Sequence, residues 1–201
     1  DMEGSRGLGD VYKRQHPMID LTKKLPSKKV SRKILKLKEN QNILLLMPAS
    51  RPQELKYILP TFLKTAKKLQ LRYPSLIVYI PSCRRNFDEK FRKGLEKYEI
   101  KGKVISQQDD AELIPYIYSL AKLALCKSGT VNMELALYGI PQIIGYRVSR
   151  VTAFIAKRIL NFKVRFISPV NLLMKKFIIP EFVQKNFCLL YTSDAADDGL
   201  C

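Results

Sequence analysis

Apolar positions along this chain come in two patterns, short unbroken runs and longer stretches where they return every three or four residues. The run "NILLLMPAS" predicts a buried strand that stops in a small-residue turn. Leu55, Ile58, Leu59, Phe62, Leu63, Ala66 and Leu69 follow at helical spacing with lysines on the opposite face, and Pro60 is expected to kink that helix or end its first segment. "SLIVYIPS" predicts a second strand, "NFDEKFRKGLEKYE" a helix and "GKVISQ" a short strand. "DDAELIPYIYSLA" predicts a short helix with Asp109 and Asp110 as its N-cap and first turn; "KLALCKS" predicts another strand. "TVNMELALYG" reads as a helix closed by Gly139 in a left-handed cap, "PQIIGY" as the final apolar strand, and "RVTAFIAKRIL" as one more amphipathic helix. Strands and helices that alternate so regularly predict an α/β fold with a doubly wound, mostly parallel sheet. No repeat or low-complexity tract competes with it.

The two ends break the pattern. "SRGLGDVYKRQ" and "CLLYTS" back-translate into an inverted pair of nucleotide sequences, which resembles the transposon end used to prepare sequencing libraries. Residues 1–15 and 188–201 are therefore expected to be non-native tails that pack against nothing. Residues 16–40 read as a basic, irregular lead-in from a preceding domain, and residues 41–187 as one Rossmann-like domain, a piece of a longer protein.

The chain carries a net charge of +18; setting aside three basic and three acidic residues in the first tail and three acidic in the second leaves +21. That balance suits anionic partners, although lysines on solvated helix faces produce it as well. Cys188 and Cys201 fall in a tail, and the two isolated thiols that remain, Cys83 and Cys126, fit a reducing compartment better than a disulfide framework or zinc site. "NILLLM" and "LIVYI" are strand-sized, too short to cross a membrane as helices. No secretory signal is evident. His16, the sole histidine, has no serine and aspartate framework around it that would make a hydrolase triad.

Ligands of doubly wound sheets bind beyond the carboxyl ends of the strands. Two loops there carry chemistry. In "MPASR", Arg51 projects into the crevice just before Pro52 starts a helix, suited to gripping phosphate, although this loop by itself reads more readily as an ordinary N-cap, Ser50, next to a surface arginine. In "CKSGTVNMELALYGIPQIIGY", Ser128, Gly129 and Thr130 set hydroxyls and amides at a helix start, a seat for a diphosphate. Glu134 lies four residues after Thr130 on the same face, where a carboxylate can accept from a ribose diol. An N-cap followed by a solvated glutamate has the same spacing.

"LLLMPASRPQELKYILPTFLKTAKKL", "CKSGTVNMELALYGIPQIIGYRVSRVTAFIAKRIL" and "FISPVNLLMKKFIIPEFVQ" together resemble, in order, the C-terminal half of the lipid-A-disaccharide synthases, glycosyltransferases of the two-domain GT-B architecture. The resemblance implies an inverting transfer from UDP-linked 2,3-diacylglucosamine to 2,3-diacylglucosamine 1-phosphate, with no metal and no other cofactor. It assigns Arg51 to the leaving diphosphate, and Ser50, Ser128, Gly129, Thr130, Glu134 and Asn171 to the UDP-sugar. Ala49 stands where the family has glycine, Lys127 where a small apolar residue is usual, and Val170 where it has proline. The general base is expected on the missing N-terminal domain, which leaves this chain able to bind nucleotide but inactive alone.

Substrates with acyl chains imply a cytoplasmic enzyme, peripheral at the inner face of the inner membrane. Lys157, Arg158, Lys163 and Arg165, beside an apolar stripe, are the expected contacts to an anionic lipid surface. The alternatives are another GT-B transferase using a UDP-sugar, or a basic nucleic-acid-binding module. The second lacks zinc-finger spacing and an RNA-recognition aromatic motif, so no nucleic acid is expected as a partner.

Overall fold

The computed structural model describes residues 25–147 and 166–183. Among them, one sheet holds β1 (Asn42–Met47), β2 (Leu76–Ser82), β3 (Gly102–Ser106), β4 (Ala121–Cys126), β5 (Gln142–Tyr146) and β6 (Glu181–Val183). Every pairing is parallel and the order is β3-β2-β1-β4-β5-β6, so the direction in which strands are added reverses between β1 and β4. This is the Rossmann-like strand order.

Helices cover both faces. Ile43, Leu45 and Met47 of β1 join a core layer with Leu35, Ile117 and Leu135, from α1 (Lys28–Leu35), α4 (Ile114–Leu120) and α5 (Val131–Leu137). Leu44 and Leu46 point the other way, into a layer with Ile58, Phe62 and Phe91 from α2 (Pro52–Arg72) and α3 (Arg85–Lys97). A strand buried on both faces must be apolar throughout, which is why "NILLLM" shows no alternation. Each of these side chains contributes about 1.5–3 kcal/mol on burial. Among the described residues the last helix, α6 (Pro169–Met174), precedes β6.

Four local expectations change. Within the lead-in, Lys28–Leu35 is helical, capped by Ser27, and Ser31 accepts a hydrogen bond from Ser119 at 2.6 Å, so the segment packs on α4 as part of the fold. Of the two outcomes expected of Pro60, ending the helix does not occur: α2 runs unbroken from Pro52 to Arg72. Pro60 lies on the exposed face with Lys56 one turn before it, so the carbonyl that loses its N–H partner can turn to water. Asp109 forms an ion pair with Arg85, and neither it nor Asp110 caps a helix through its side chain; a short 3-10 turn, Ala111–Leu113, leads into α4 instead. "PQIIGY" is not the final strand, because Glu181–Val183 pairs with β5.

Gly139 has φ +66, its N–H bonds the Ala136 carbonyl at 3.0 Å, and α5 ends there as expected. The tails, His16, the helix "RVTAFIAKRIL" and the basic positions 157, 158, 163 and 165 lie outside the described residues.

Candidate functional site

Met47 and Cys126 are register partners, so the loops after β1 and β4 leave the sheet side by side where the strand order reverses. In the first loop Ser50 and Arg51 are exposed, and their N–H groups donate to Glu54, 3.3 Å each. That carboxylate caps α2, as a glutamate at the third helical position can. Ala49 suits its place: among the described residues, positive φ outside glycine occurs only at Lys36, Glu99 and Lys175, so no glycine-like freedom is required.

The second loop is tied from several directions. The Lys127 N–H donates to the Met47 carbonyl at 3.0 Å, and its ammonium reaches across to Glu54. The Ser128 hydroxyl donates to the Ile167 carbonyl, and the Gly129 N–H to Asn132 Oδ1 at 2.8 Å. Thr130 is exposed at the start of α5 and its hydroxyl caps no helix N–H, whereas the Gly129 N–H is already taken by Asn132.

Asn132 organises this turn from beneath. It is wholly buried, and its Nδ2 lies 3.2 Å from each of Cys126 Sγ, the Lys127 carbonyl and Gln142 Oε1. Gln142 Nε2 returns a bond to the Asn132 carbonyl at 2.9 Å. Burial pushes the Cys126 thiol up to about 12, which keeps it a neutral packing group. The sequence reading missed Asn132, although an amide amid the apolar residues of "VNMELAL" is the signal that could have found it.

Glu134 lines a cleft of about 370 Å³ with Gln107, Ile114, Pro115, Tyr118 and Tyr138. Tyr118 and Tyr138 meet edge to face, ring centres 5.7 Å apart. Burial raises the Glu134 pKa above the ordinary carboxylate range, partly offset by a hydrogen bond from Tyr118; burial and then the Glu134 charge raise both tyrosines. A raised carboxylate favours the fold at low pH and loses that contribution as pH rises through its folded value. Glu134→Gln is therefore expected to raise the melting temperature of the ligand-free chain at pH 7 by about 1–3 °C, the half-exposed site keeping the effect small. A lower melting temperature in that variant would show that the ionised carboxylate stabilises the fold.

Asn171, the third residue of α6, is wholly buried. Its Nδ2 donates to the Ile179 carbonyl at 2.8 Å and to Glu181 at 2.7 Å, and its Oδ1 accepts from Ile178 and Ile179, 2.9 Å each. Glu181 accepts in turn from the N–H groups of Ile167 at 2.7 Å and Ser168 at 2.9 Å. Each position on the Asn171 amide is taken by the chain itself. Its link to the site runs through Glu181 and Ile167 to Ser128. The structure thus gathers Ser50, Arg51, Ser128, Gly129, Thr130 and Glu134 at one edge of the sheet and sets Asn171 behind them. Among the described residues, no three His, Cys, Asp or Glu side chains converge as metal ligands would.

Strand order and crevice together define a Rossmann-like doubly wound domain. A model of the LpxB family, lipid-A-disaccharide synthetase, matches residues 15–197, and the chain belongs to that family. It is 49% identical over 169 residues to the lipid-A-disaccharide synthase of Prochlorococcus marinus (strain MIT 9313), covering 84% of this chain and 43% of that protein. The corresponding protein of Synechocystis sp. (strain ATCC 27184 / PCC 6803 / Kazusa) is 36% identical over 177 residues, covering 88% of this chain and 44% of its own length. The chain thus spans less than half the length of these relatives. Among solved structures, WaaG, a glycosyltransferase involved in lipopolysaccharide biosynthesis, aligns at 19% identity with a TM-score of 0.47 over 65% of this chain and 35% of its own.

Proposed function

We propose that this chain holds UDP-linked 2,3-diacylglucosamine and forms the donor half of an inverting transfer of that sugar to 2,3-diacylglucosamine 1-phosphate. The observation that carries this reading is the meeting of the Arg51 loop, the Ser128–Thr130 turn and Glu134 at the strand-order reversal, in a member of this family. Arg51 and Thr130 take the diphosphate, Glu134 accepts from the ribose diol, and the cleft beside Tyr118 and Tyr138 receives the flat base. As an acceptor hydroxyl attacks the anomeric carbon, the bond to the diphosphate breaks and its electron pair passes to the phosphate oxygen. Arg51 and the loop amides stabilise that charge, so the reading requires no metal. A carboxylate of the longer protein, outside this chain, takes the hydroxyl proton.

Calorimetry with UDP and with ADP tests the site. UDP is expected to bind and ADP to bind far more weakly; equal or absent binding of both rejects the reading. Glu134 adds a pH signature: protonation removes the negative charge that strengthens its bonds to the diol, so UDP affinity falls as pH drops through the raised Glu134 pKa. The difference in UDP affinity between the unmodified chain and Glu134→Gln should therefore shrink in acid; a constant difference would remove Glu134 from the ribose.

The lipid substrates place the work at an anionic lipid surface, on the cytoplasmic face of the inner membrane. Supporting this, Leu172, Leu173, Met174, Phe177 and Ile178 are exposed next to Lys175 and Lys176. Near such a leaflet each lysine or arginine contributes about 1 kcal/mol. Co-sedimentation with anionic vesicles is expected to weaken with added salt and with Lys157, Arg158, Lys163 and Arg165 changed to glutamine. Binding indifferent to both would leave those charges as solvated surface.

A further inference from the structure

We propose that the Lys127–Glu54 ion pair clamps the two crevice loops at a fixed spacing, which makes Lys127 a positioning residue for Arg51. The clamp's effect on nucleotide binding rests on the reading of the site given above. Lys127 Nζ lies 2.9 Å from Glu54 Oε1 and 2.8 Å from Oε2, and the two side chains are only 15% and 14% exposed. The same carboxylate accepts the N–H groups of Ser50 and Arg51, so one group fixes the Arg51 backbone on one side and a cation from the neighbouring loop on the other. Lys127 is anchored as well: its N–H bonds the Met47 carbonyl, and its own carbonyl accepts from the buried Asn132 amide.

An ammonium held this way is unsuited to leave for a phosphate. Its departure would strand a half-screened carboxylate in the place where a diphosphate must sit, so attraction gained at one end would be offset by repulsion at the other. Lys127 is thus more useful as the partner that neutralises Glu54 and fixes how far apart the loops stand. A small apolar residue at this position could not do this.

Two measurements on the 201-residue chain test the clamp. Lys127→Met is expected to weaken UDP binding roughly tenfold, the scale of one charge-assisted bond, and to have no further effect in an Arg51→Ala background, because its influence passes through Arg51. Additive losses would mean that Lys127 meets the phosphate itself, and an unchanged affinity in Lys127→Met would mean that the pair is idle; either overturns the proposal. The second measurement requires no ligand. Amide hydrogen exchange at Ser50 and Arg51 should quicken in both Lys127→Met and Glu54→Gln while the melting temperature stays within a few degrees. Unchanged exchange in Lys127→Met refutes the clamp even if UDP does not bind, whereas quickened exchange without UDP binding supports the clamp and rejects only the identity of the ligand.

Discussion

Replacing Asn171 with alanine is expected to lower the melting temperature by about 10 °C. The substitution strips partners from the Ile179 carbonyl and the Ile178 and Ile179 N–H groups, and leaves Glu181 Oε1 with the Ser168 N–H as its remaining donor, all at or near a fully buried position. Leaving buried polar groups unpaired costs about 1–3 kcal/mol each, and partial rehydration brings the sum to about 3–4 kcal/mol. For a domain of this size each kcal/mol moves the melting point by about 2–4 °C. Asn171→Asp should not rescue, because it sets a second carboxylate against Glu181 and loses both N–H donors. Thermal unfolding followed by circular dichroism checks this. An unchanged melting point with weakened UDP binding would instead place Asn171 in contact with the donor.

The second large effect is on binding. Arg51→Ala should weaken UDP by about 10–100-fold, the scale of a lost charge-assisted contact, and leave uridine binding nearly unchanged. Comparison of the two ligands isolates the diphosphate. Equal losses for UDP and uridine would place Arg51 at the base or ribose, and no loss would leave it the surface arginine that its exposure also permits.

Elements whose apolar period is strong were legible before any coordinates: five of the strands, the long helix beginning at Pro52 and the Gly139 stop all fall where the pattern sets them. The sixth strand was not. Glu181–Val183 is three residues long at a sheet edge, too short for a period, and its Glu181 serves hydrogen bonds instead of a face. The helix at Lys28–Leu35 was hidden because five of its eight residues are basic or serine and its single buried leucine gives no stripe. At the site, residues that face a ligand could be read from their chemistry, whereas those that hold the loops could not. Lys127 read as a departure from a small apolar residue, and its partner Glu54 could not be seen because it lies in the first turn of α2, joined to Lys127 only by the adjacency of β1 and β4.

That adjacency has an evolutionary side. The crevice arises because successive crossovers depart from β1 and β4 to opposite sides, so it belongs to the path of the chain and not to any one side chain. Point substitutions in the loops after β1 and β4 can retune what the crevice holds and how firmly, yet none can close it or move it. Ligand preference is thereby left open to mutation, while the place of binding is inherited with the topology.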